Sequence, residues 1–266
     1  MAIKALLIDL PRCTGCRGCQ VACKQWYKRG AEKTTFFAGP GYQNPADLSP
    51  QTWCLVTYNE VIVNARYEWV FGKRQCMHCL IPGCASACPV KALEKLENGP
   101  VMYHRERCIG CRYCMLACPF EVPRFEYESW NPYISKCTMC APRIAGGQIP
   151  ACAQACPTGA ITFGERDALI REAERRISNS PGKYTHHIYG LEEAGGTCVL
   201  HISSVPFKDL GYAMRVPRTP MVAHTQPAMQ AIPMVMLGLA TVLGAGYALR
   251  TRKERNNQRS ADAAGK

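Results

Sequence analysis

Apolar residues are concentrated in one long stretch near the C-terminus, where 22 consecutive positions, 228–249, hold no charged residue. A helix rises about 1.5 Å per residue, so this stretch would span about 33 Å and cross a hydrocarbon core of about 30 Å. The alternative is a buried core helix, but the rest of the chain offers too small a core to enclose one. We therefore predict one transmembrane helix at 228–249.

Elsewhere the apolar runs are short. Runs typical of β-strands lie at 53–63, 101–104, 160–163 and 197–203. Leu169, Ala173 and Ile177 recur at every fourth position among Arg and Glu residues, which predicts an amphipathic helix over 165–178. The pattern favours an α+β fold with a small core and many loops.

Basic residues are distributed unequally around the long apolar stretch. Five of them follow it closely, namely Arg250, Arg252, Lys253, Arg255 and Arg259, whereas Lys208, Arg215 and Arg218 precede it at a greater distance. Because the more basic flank of a membrane helix stays in the cytoplasm, we expect a cytoplasmic C-terminal tail. The preceding domain would then be periplasmic or otherwise extracytoplasmic. We expect 206–227 to be a linker and 250–266 to be a basic, disordered tail.

Cysteine is the most informative residue type. Of 18 cysteines in 266 residues, 16 fall in four groups that repeat a common pattern. The groups are Cys13, Cys16, Cys19 and Cys23; Cys76, Cys79, Cys84 and Cys88; Cys108, Cys111, Cys114 and Cys118; and Cys137, Cys140, Cys152 and Cys156. Three residues separate the last two cysteines of every group. The spacing before them varies, and in the fourth group it includes an eleven-residue insertion.

This spacing identifies the chemistry. The run C-x2-C-x2-C-x3-C-P binds [4Fe–4S] clusters in bacterial ferredoxins, and its fourth cysteine ligates the other cluster of a pair. Structural zinc sites instead close with four ligands from two short knuckles. Here each group already holds four cysteines, three groups carry Pro after the last one, and no His recurs at ligand spacing. We predict four [4Fe–4S] clusters, with zinc as the alternative.

The net charge of +12 suggests nucleic acid or an anionic lipid surface as a partner. Each oxidised cubane with its four thiolates carries about −2, so four clusters would offset about 8 of these charges. We therefore expect no nucleic-acid partner. The competing hypothesis is a zinc-stabilised, basic, nucleic-acid-binding membrane protein, which iron analysis and EPR of the reduced protein would distinguish.

Longer segments extend the likeness beyond the cysteines. They are NPADLSPQTW at 44–53, EWVFGKRQCMHC at 68–79, CIGCRYCMLACPFEVPR at 108–124 and CPTGAITFG at 156–164. The sequence resembles the four-cluster iron–sulfur subunit of membrane-bound molybdopterin oxidoreductases and of some nickel–iron hydrogenases, above all the beta subunit of respiratory formate dehydrogenase. The resemblance implies two intertwined ferredoxin-like modules, one from 1–70 and 125–205 and one from 71–124.

The resemblance also implies how the groups share their clusters. In that family the first group pairs with the fourth, and the second with the third. Carried onto this chain, cluster a is held by Cys13, Cys16, Cys19 and Cys156, and cluster b by Cys137, Cys140, Cys152 and Cys23. Cluster c is held by Cys76, Cys79, Cys84 and Cys118, and cluster d by Cys108, Cys111, Cys114 and Cys88. Lys24 stands where the other groups have Pro, and this departure leaves the ligand set intact.

The partners implied are a catalytic subunit facing the outer pair, clusters a and b, and a membrane cytochrome b or other quinone-reactive subunit facing the central pair. The catalytic subunit would carry molybdopterin, or nickel and iron in the hydrogenase alternative. We expect no catalytic residue in this chain, since it has no dinucleotide-binding turn and no evident acid–base constellation. We expect no signal peptide before Cys13, so export would depend on a signal-bearing partner.

A few further residues have competing interpretations. Cys54 and Cys198 lie in strand-like runs, where a buried apolar role is favoured over ligation. His78, inside the second group, is expected to support the site without binding iron. Arg107, Arg112 and Lys136 flank clusters, where positive charge raises a reduction potential, but solvated surface charge is the default interpretation.

Overall fold

The computed structural model describes residues 2–35, 42–63, 65–128, 130 and 132–264. It divides into two units, Met1–Val222 and Ala223–Lys266. The elements, in chain order, are β1 (Lys4–Asp9), α1 (Gly18–Trp26), β2 (Leu55–Val63), β3 (Arg66–Arg74), α2 (Gly83–Ser86), β4 (Leu93–Lys95), β5 (Val101–Tyr103), α3 (Tyr113–Leu116), β6 (Arg124–Phe125), β7 (Ile134–Ser135), α4 (Ala141–Ala145), α5 (Ala151–Gln154), β8 (Ile161–Glu165), α6 (Arg166–Asn179), β9 (Val199–Ile202) and α7 (Met221–Ala264).

A three-stranded sheet with the order β8–β1–β9 forms the main core. Strand β1 pairs antiparallel to β8 and parallel to β9, so that Leu6 lies between Phe163 and Val199. Residues Ala5 to Ile8 of β1 are fully buried, which is why this strand reads as a continuous apolar run and not as an alternation. The sequence analysis did not predict β1, although it predicted both of its neighbours.

The predicted amphipathic helix is confirmed as α6, which packs against β1 and β8. Leu169, Ala173 and Ile177 are its buried face. The helix is also held by a buried ion pair, because Arg176 donates to the carboxylate of Asp9 at the end of β1. Strand β1, helix α6 and the loop that begins at Cys13 are therefore fixed to one another.

A long hairpin, β2–β3, and two short hairpins complete the first unit. In the long hairpin Leu55 pairs with Arg74 and Val63 with Arg66. The short hairpins β4–β5 and β6–β7 belong to a second, smaller core formed by Leu93, Val101, Ile134, Cys84 and Cys114. Ile134, which lies within the 125–205 range expected for the first module, packs in this smaller core. The module ranges themselves stay a prediction.

Helix α7 is 44 residues long and extends beyond the predicted 22-residue segment at both ends. Its segment Gln230–Arg255 has a mean hydropathy of 1.8 and is long and apolar enough to cross a membrane. Within 250–266, for which a disordered tail is expected, the structure describes helix through Ala264. Arg250 pairs with Glu254 one turn away, and such pairs stabilise a helix that lacks an apolar face.

Candidate iron–sulfur centres

Each cysteine group folds as a tight loop followed by a short helix. In the first group Gly15 adopts φ +66°, and a β-carbon there would lie 2.8 Å from the ring of Phe71. Arg17, also in the left-handed region, precedes α1. Cys19 and Cys23 lie one turn apart on α1, and both are buried. Residues four apart share a helix face, so Cys19 and Cys23 lie one above the other on the buried face of α1.

The third group repeats this geometry, and the other two accommodate their insertions before the helix. Gly110 and Arg112 take the left-handed conformations, and α3 carries Cys114. In the second group Pro82 precedes α2, which carries Cys84. In the fourth group the eleven-residue insertion includes the short helix α4, after which Pro150 precedes α5 with Cys152. The insertion is thus a folded excursion that leaves the second half of the site in its standard form.

Thiols of the first and fourth groups meet in space. Cys13, Cys16, Cys19 and Cys156 line one small cavity. Burial raises the pKa of the Cys13 thiol, and the neighbouring charges of Cys156 and Cys16 raise it further. Burial likewise raises the pKa of Cys23, and the next contributions come from Cys54 and from the fourth-group thiols, Cys137, Cys152 and Cys140.

Thiols of the second and third groups meet in the same way. Burial raises the pKa of Cys79, and Cys76, Cys118 and Cys84 add to the increase. Burial raises the pKa of Cys114 to about 12, with further contributions from Cys108, Cys111 and Cys88. In every case three thiols of one group have as a neighbour the last cysteine of the other group. These neighbours are the ones that the expected sets for clusters a to d require.

The donor chemistry of these sites fits iron–sulfur clusters. Among the residues that the structure describes, no three His, Cys, Asp or Glu side chains converge on a point that would suit a single metal ion. Thiols gathered in fours but held apart suit a cubane, whose irons each take one thiolate. Backbone amides point at several sulfurs: Met139 N–H donates to Cys137 Sγ over 3.3 Å, and Ala92 N–H donates to Cys88 Sγ over 3.2 Å.

Comparison with known proteins identifies the family. Two models of 4Fe-4S dicluster domains match, one over residues 12–92 and one over 67–166. The chain is 41% identical to the nitrate-inducible formate dehydrogenase iron–sulfur subunit of Escherichia coli K12 over 201 residues, which are 74% of this chain and 67% of that protein. It is 37% identical to the formate dehydrogenase-O iron–sulfur subunit of the same strain over 247 residues, 91% and 80% of the two chains.

This protein belongs to that family of iron–sulfur subunits. The iron–sulfur subunit is also 33% identical to the hydrogenase-2 operon protein HybA of Escherichia coli O157:H7 over 280 residues, covering 90% of this chain and 83% of that protein. Its two dicluster matches overlap at 67–92, which is consistent with modules that exchange chain segments. The general class of the protein, an iron–sulfur electron-transfer subunit with [4Fe–4S] clusters, is thereby confirmed.

The two cysteines outside the groups are buried in the iron–sulfur subunit, with Cys54 2% and Cys198 0% exposed. Cys54 is more than an isolated apolar residue, since its thiol lies beside those of Cys19 and Cys23. Lys95 Nζ donates to Cys198 Sγ over 3.4 Å. Both cysteines thus lie next to the sites, a proximity that their strand-like sequence context did not reveal.

Buried basic residues were largely missed in the sequence. Lys136, for which solvated surface charge was the default interpretation, is only 2% exposed, so that interpretation is wrong. Lys73 in β3 is 4% exposed and was not singled out at all. Burial lowers its pKa, but the thiolates Cys54, Cys152 and Cys19 outweigh burial and raise it overall. The only sequence signal was position: Lys73 lies three residues before Cys76, and Lys136 directly precedes Cys137.

Proposed function

We propose that this chain relays single electrons through four [4Fe–4S] clusters, held by the sets a to d given above, between a catalytic subunit and a membrane quinone-reactive subunit. The clusters supply one-electron redox chemistry. The chain holds them at fixed separations, excludes water from them and donates backbone hydrogen bonds to their thiolates. The expected module ranges, 1–70 with 125–205 and 71–124, remain part of this proposal.

The succession of thiol neighbours carries this proposal. Cys152 of set b is among the charges felt by Cys19 of set a. After burial, Cys76 of set c is the largest influence on the pKa of Cys137 of set b. Cys114 of set d acts on Cys84 of set c. These three electrostatic interactions join set a to b, b to c and c to d. They therefore support the linear order a–b–c–d.

The two ends of this order are the exposed ones. Cys16 of set a and Cys111 of set d are the cysteines that the structure leaves exposed among the sixteen, all of which are described. Apolar side chains next to Cys111 in the sequence, Ile109, Tyr113 and Leu116, are also exposed. An accessible cluster edge beside apolar surface suits docking of a redox partner, and a relay needs one such face at each end.

The partner at the a end is proposed to be a catalytic subunit with a molybdenum or tungsten site that oxidises formate. Two relatives named as formate dehydrogenase iron–sulfur subunits, at 41% and 37% identity, support it. A nickel–iron hydrogenase large subunit is the second candidate, favoured by the likeness to HybA at 33% identity. At the d end we propose a membrane cytochrome b.

Helix α7 is proposed to anchor the subunit in the cell membrane with a single pass. Its segment Gln230–Arg255 passes the length and hydropathy requirements, and the basic residues after 249 favour a cytoplasmic C-terminal end. The iron–sulfur domain would then lie on the extracytoplasmic side. Protease accessibility of a C-terminal tag in sealed, oriented vesicles tests this, and digestion from the extracytoplasmic side would refute the orientation.

The relay itself is tested by ligand variants in the full complex. Cys156→Ala should remove or convert cluster a while clusters b, c and d keep their EPR signals in the dithionite-reduced protein. Cys54→Ala is the matched control, because Cys54 is a buried cysteine beside the same sites but outside every set, and it should keep all four clusters. Loss of cluster b alone in Cys156→Ala would refute the pairing. Zinc instead of iron in the purified protein would refute the function.

Purification of the complex tests the identity of the catalytic partner. A tagged subunit isolated from detergent-solubilised membranes should bring down one large subunit, whose metal content is then measured. Molybdenum or tungsten supports the formate dehydrogenase assignment. Nickel would replace it with the hydrogenase assignment and leave the relay proposal intact.

A further inference from the structure

Basic side chains are buried where the second cysteine group meets the fourth. Lys136 is 2% exposed and His78 is fully buried. Lys95 reaches the same region, since its Nζ donates to the carbonyl oxygen of His78 over 3.3 Å. Strand β5 borders this junction, and its residue Val101 packs in the smaller core with Cys84 and Cys114. Positive charge is therefore enclosed between the modules.

Hydrogen bonds fix this arrangement. Lys136 Nζ donates to the carbonyl oxygen of Val101 over 2.6 Å and to that of Cys137 over 3.0 Å. The backbone N–H of Val101 donates to Nδ1 of His78 over 2.9 Å. A single residue of β5, Val101, thus connects the lysine of the fourth group with the histidine of the second group through its C=O and N–H groups. Neither side chain is free to move away from the junction.

The hydrogen bond from Val101 determines the tautomer of His78. Because Nδ1 accepts this hydrogen bond, the neutral ring of His78 carries its proton on Nε2. His78 Nε2 is buried and has no hydrogen-bond partner among the described residues of the protein. A buried N–H group without a partner is costly, and one beside a cluster site is satisfied when it donates to a sulfur atom of that cluster. The ring lies between Cys76 and Cys79 in the chain, both of which belong to set c.

The charge of Lys136 acts on the same set. Burial raises the pKa of Cys84 to about 12, and the largest opposing influence is the ammonium of Lys136. Lys136 also favours the thiolate of Cys118, the fourth ligand of set c, whose pKa burial raises to about 11. The ligands of sets a and b have a different buried cation. For Cys152, whose pKa burial also raises to about 11, the largest opposing influence is Lys73.

We propose that Lys136 and the Nε2–H group of His78 are positioning residues that raise the reduction potential of cluster c. Reduction adds a negative charge, which an adjacent ammonium and an N–H···S hydrogen bond both stabilise. Lys73 has the same role for the outer pair. The outer pair and cluster c thus each have a buried lysine beside them, and their potentials can be set independently. This inference rests on the proposed relay and adds to it which residues tune one of its steps.

The test compares two matched variants in the purified complex. Lys136→Met and Lys73→Met each remove one buried ammonium while keeping an unbranched side chain that is one atom shorter. Redox titration monitored by low-temperature EPR resolves the midpoints, and a Cys84→Ser variant identifies the component that belongs to cluster c. Lys136→Met should lower the equilibrium constant for reduction of that component by about tenfold, which is about 59 mV for one electron. Lys73→Met should leave it in place and lower a different component.

Two further variants cover the case in which Lys136→Met loses iron. Lys136→Arg keeps the charge. It should change the equilibrium constant for reduction of cluster c by no more than about threefold, which is about 30 mV in the midpoint. His78→Phe keeps the buried volume but removes the N–H donor, and it should lower the same midpoint by less than Lys136→Met.

The inference is overturned if the cluster c component keeps its midpoint in a fully iron-loaded Lys136→Met protein, or in His78→Phe where Lys136→Met is unstable. It is also overturned if Lys73→Met and Lys136→Met lower the same component equally. Neither result would touch the relay proposal, which fails on a different observation, the wrong pairing of clusters in the ligand variants.

Discussion

The buried ion pair between Asp9 and Arg176 allows a quantitative test of how the first module is held together. Asp9 is fully buried at the end of β1, and Arg176 Nη1 donates to its Oδ2 over 2.9 Å. The hydroxyl of Tyr184 donates to the same carboxylate over 3.1 Å. Asp9 precedes Cys13 by four residues, so this contact anchors the start of the first cysteine loop. Arg176→Met would leave the carboxylate buried with only the tyrosine as a partner.

The expected cost follows from the geometry. At an effective dielectric constant of about 20, unit charges 2.9 Å apart attract by about 6 kcal/mol. The substitution costs less than this attraction, because the arginine no longer has to be desolvated on folding. In addition, the hydrogen bond from Tyr184 remains and contributes about 1.5–3 kcal/mol for a charged acceptor. We expect a net loss of about 3 kcal/mol, at the lower end of the range for breaking a buried pair. That corresponds to about a hundredfold in a rate.

The assay is the rate of cluster release, because unfolding of a protein with bound cofactors is rarely two-state. Iron release into chelator at a fixed urea concentration, followed by the loss of cluster absorbance, should be up to about a hundredfold faster for Arg176→Met. Arg175→Met is the control on the same helix. Its partner Glu172 is shared with Arg176 and lies at the surface, so we expect Arg175→Met to destabilise the protein by less than about 1 kcal/mol.

A second substitution separates charge from packing. In the Arg176→Met background, Asp9→Asn removes the unpaired buried charge, so the double variant should release iron more slowly than the single variant. Equal rates for Arg175→Met and Arg176→Met, or a double variant faster than the single one, would contradict the assignment of this energy to the ion pair.

Three other predictions follow from the same structure. Ala173→Leu, at a fully buried position of α6, should destabilise the protein by about 1–3 kcal/mol through overpacking, whereas Ala168→Leu on the exposed face should be neutral in the same iron-release assay. Hydrogen bonds from two neighbouring arginines lower the pKa of Glu172 to about 2. The stability that its carboxylate contributes is therefore fully present at pH values above the ordinary pKa of glutamate and is lost as the pH falls through about 2. An NMR titration showing an ordinary pKa for Glu172 would contradict this. Deleting the segment from Gln230 onward should move the protein from the membrane to the soluble fraction with its iron content unchanged, and membrane retention of the truncated chain would show that another contact anchors it.

The cysteine motifs could be read from the sequence because their spacing is local, as Cys19 and Cys23, one turn apart on α1, illustrate. How groups distant in the chain share their ligands is not local information; it came from the resemblance and stays a prediction. The amphipathic helix α6 was equally readable from Leu169, Ala173 and Ile177. Strand β1 escaped prediction because it is buried on both faces, which removes the alternation on which strand prediction depends.

Burial of charged groups could not be predicted, because it depends on partners that are distant in the chain. Lys136 finds its acceptor at Val101, 35 residues earlier, and its position directly before Cys137 does not by itself distinguish it from an exposed lysine. The length of α7 was underestimated for another reason. Apolar content defined the predicted segment, but the helix continues through Arg250 and Glu254, where ion pairing and not burial supports it.

The buried lysines also explain why a protein with a net charge of +12 need not have an acidic partner of equal charge. A buried ammonium is costly unless an opposite charge lies beside it, and Lys73 is surrounded by Cys54, Cys152 and Cys19. Thiolates held around an iron–sulfur cluster supply such a charge permanently, whereas protonated thiols supply none. With the proposed cluster sets, the lysines and the clusters beside them depend on one another: cluster c and the outer pair gain a cation that stabilises the reduced form, and each lysine gains the anion that allows it to be buried. In this fold the clusters are part of the core, and the excess basic composition is partly internal to it.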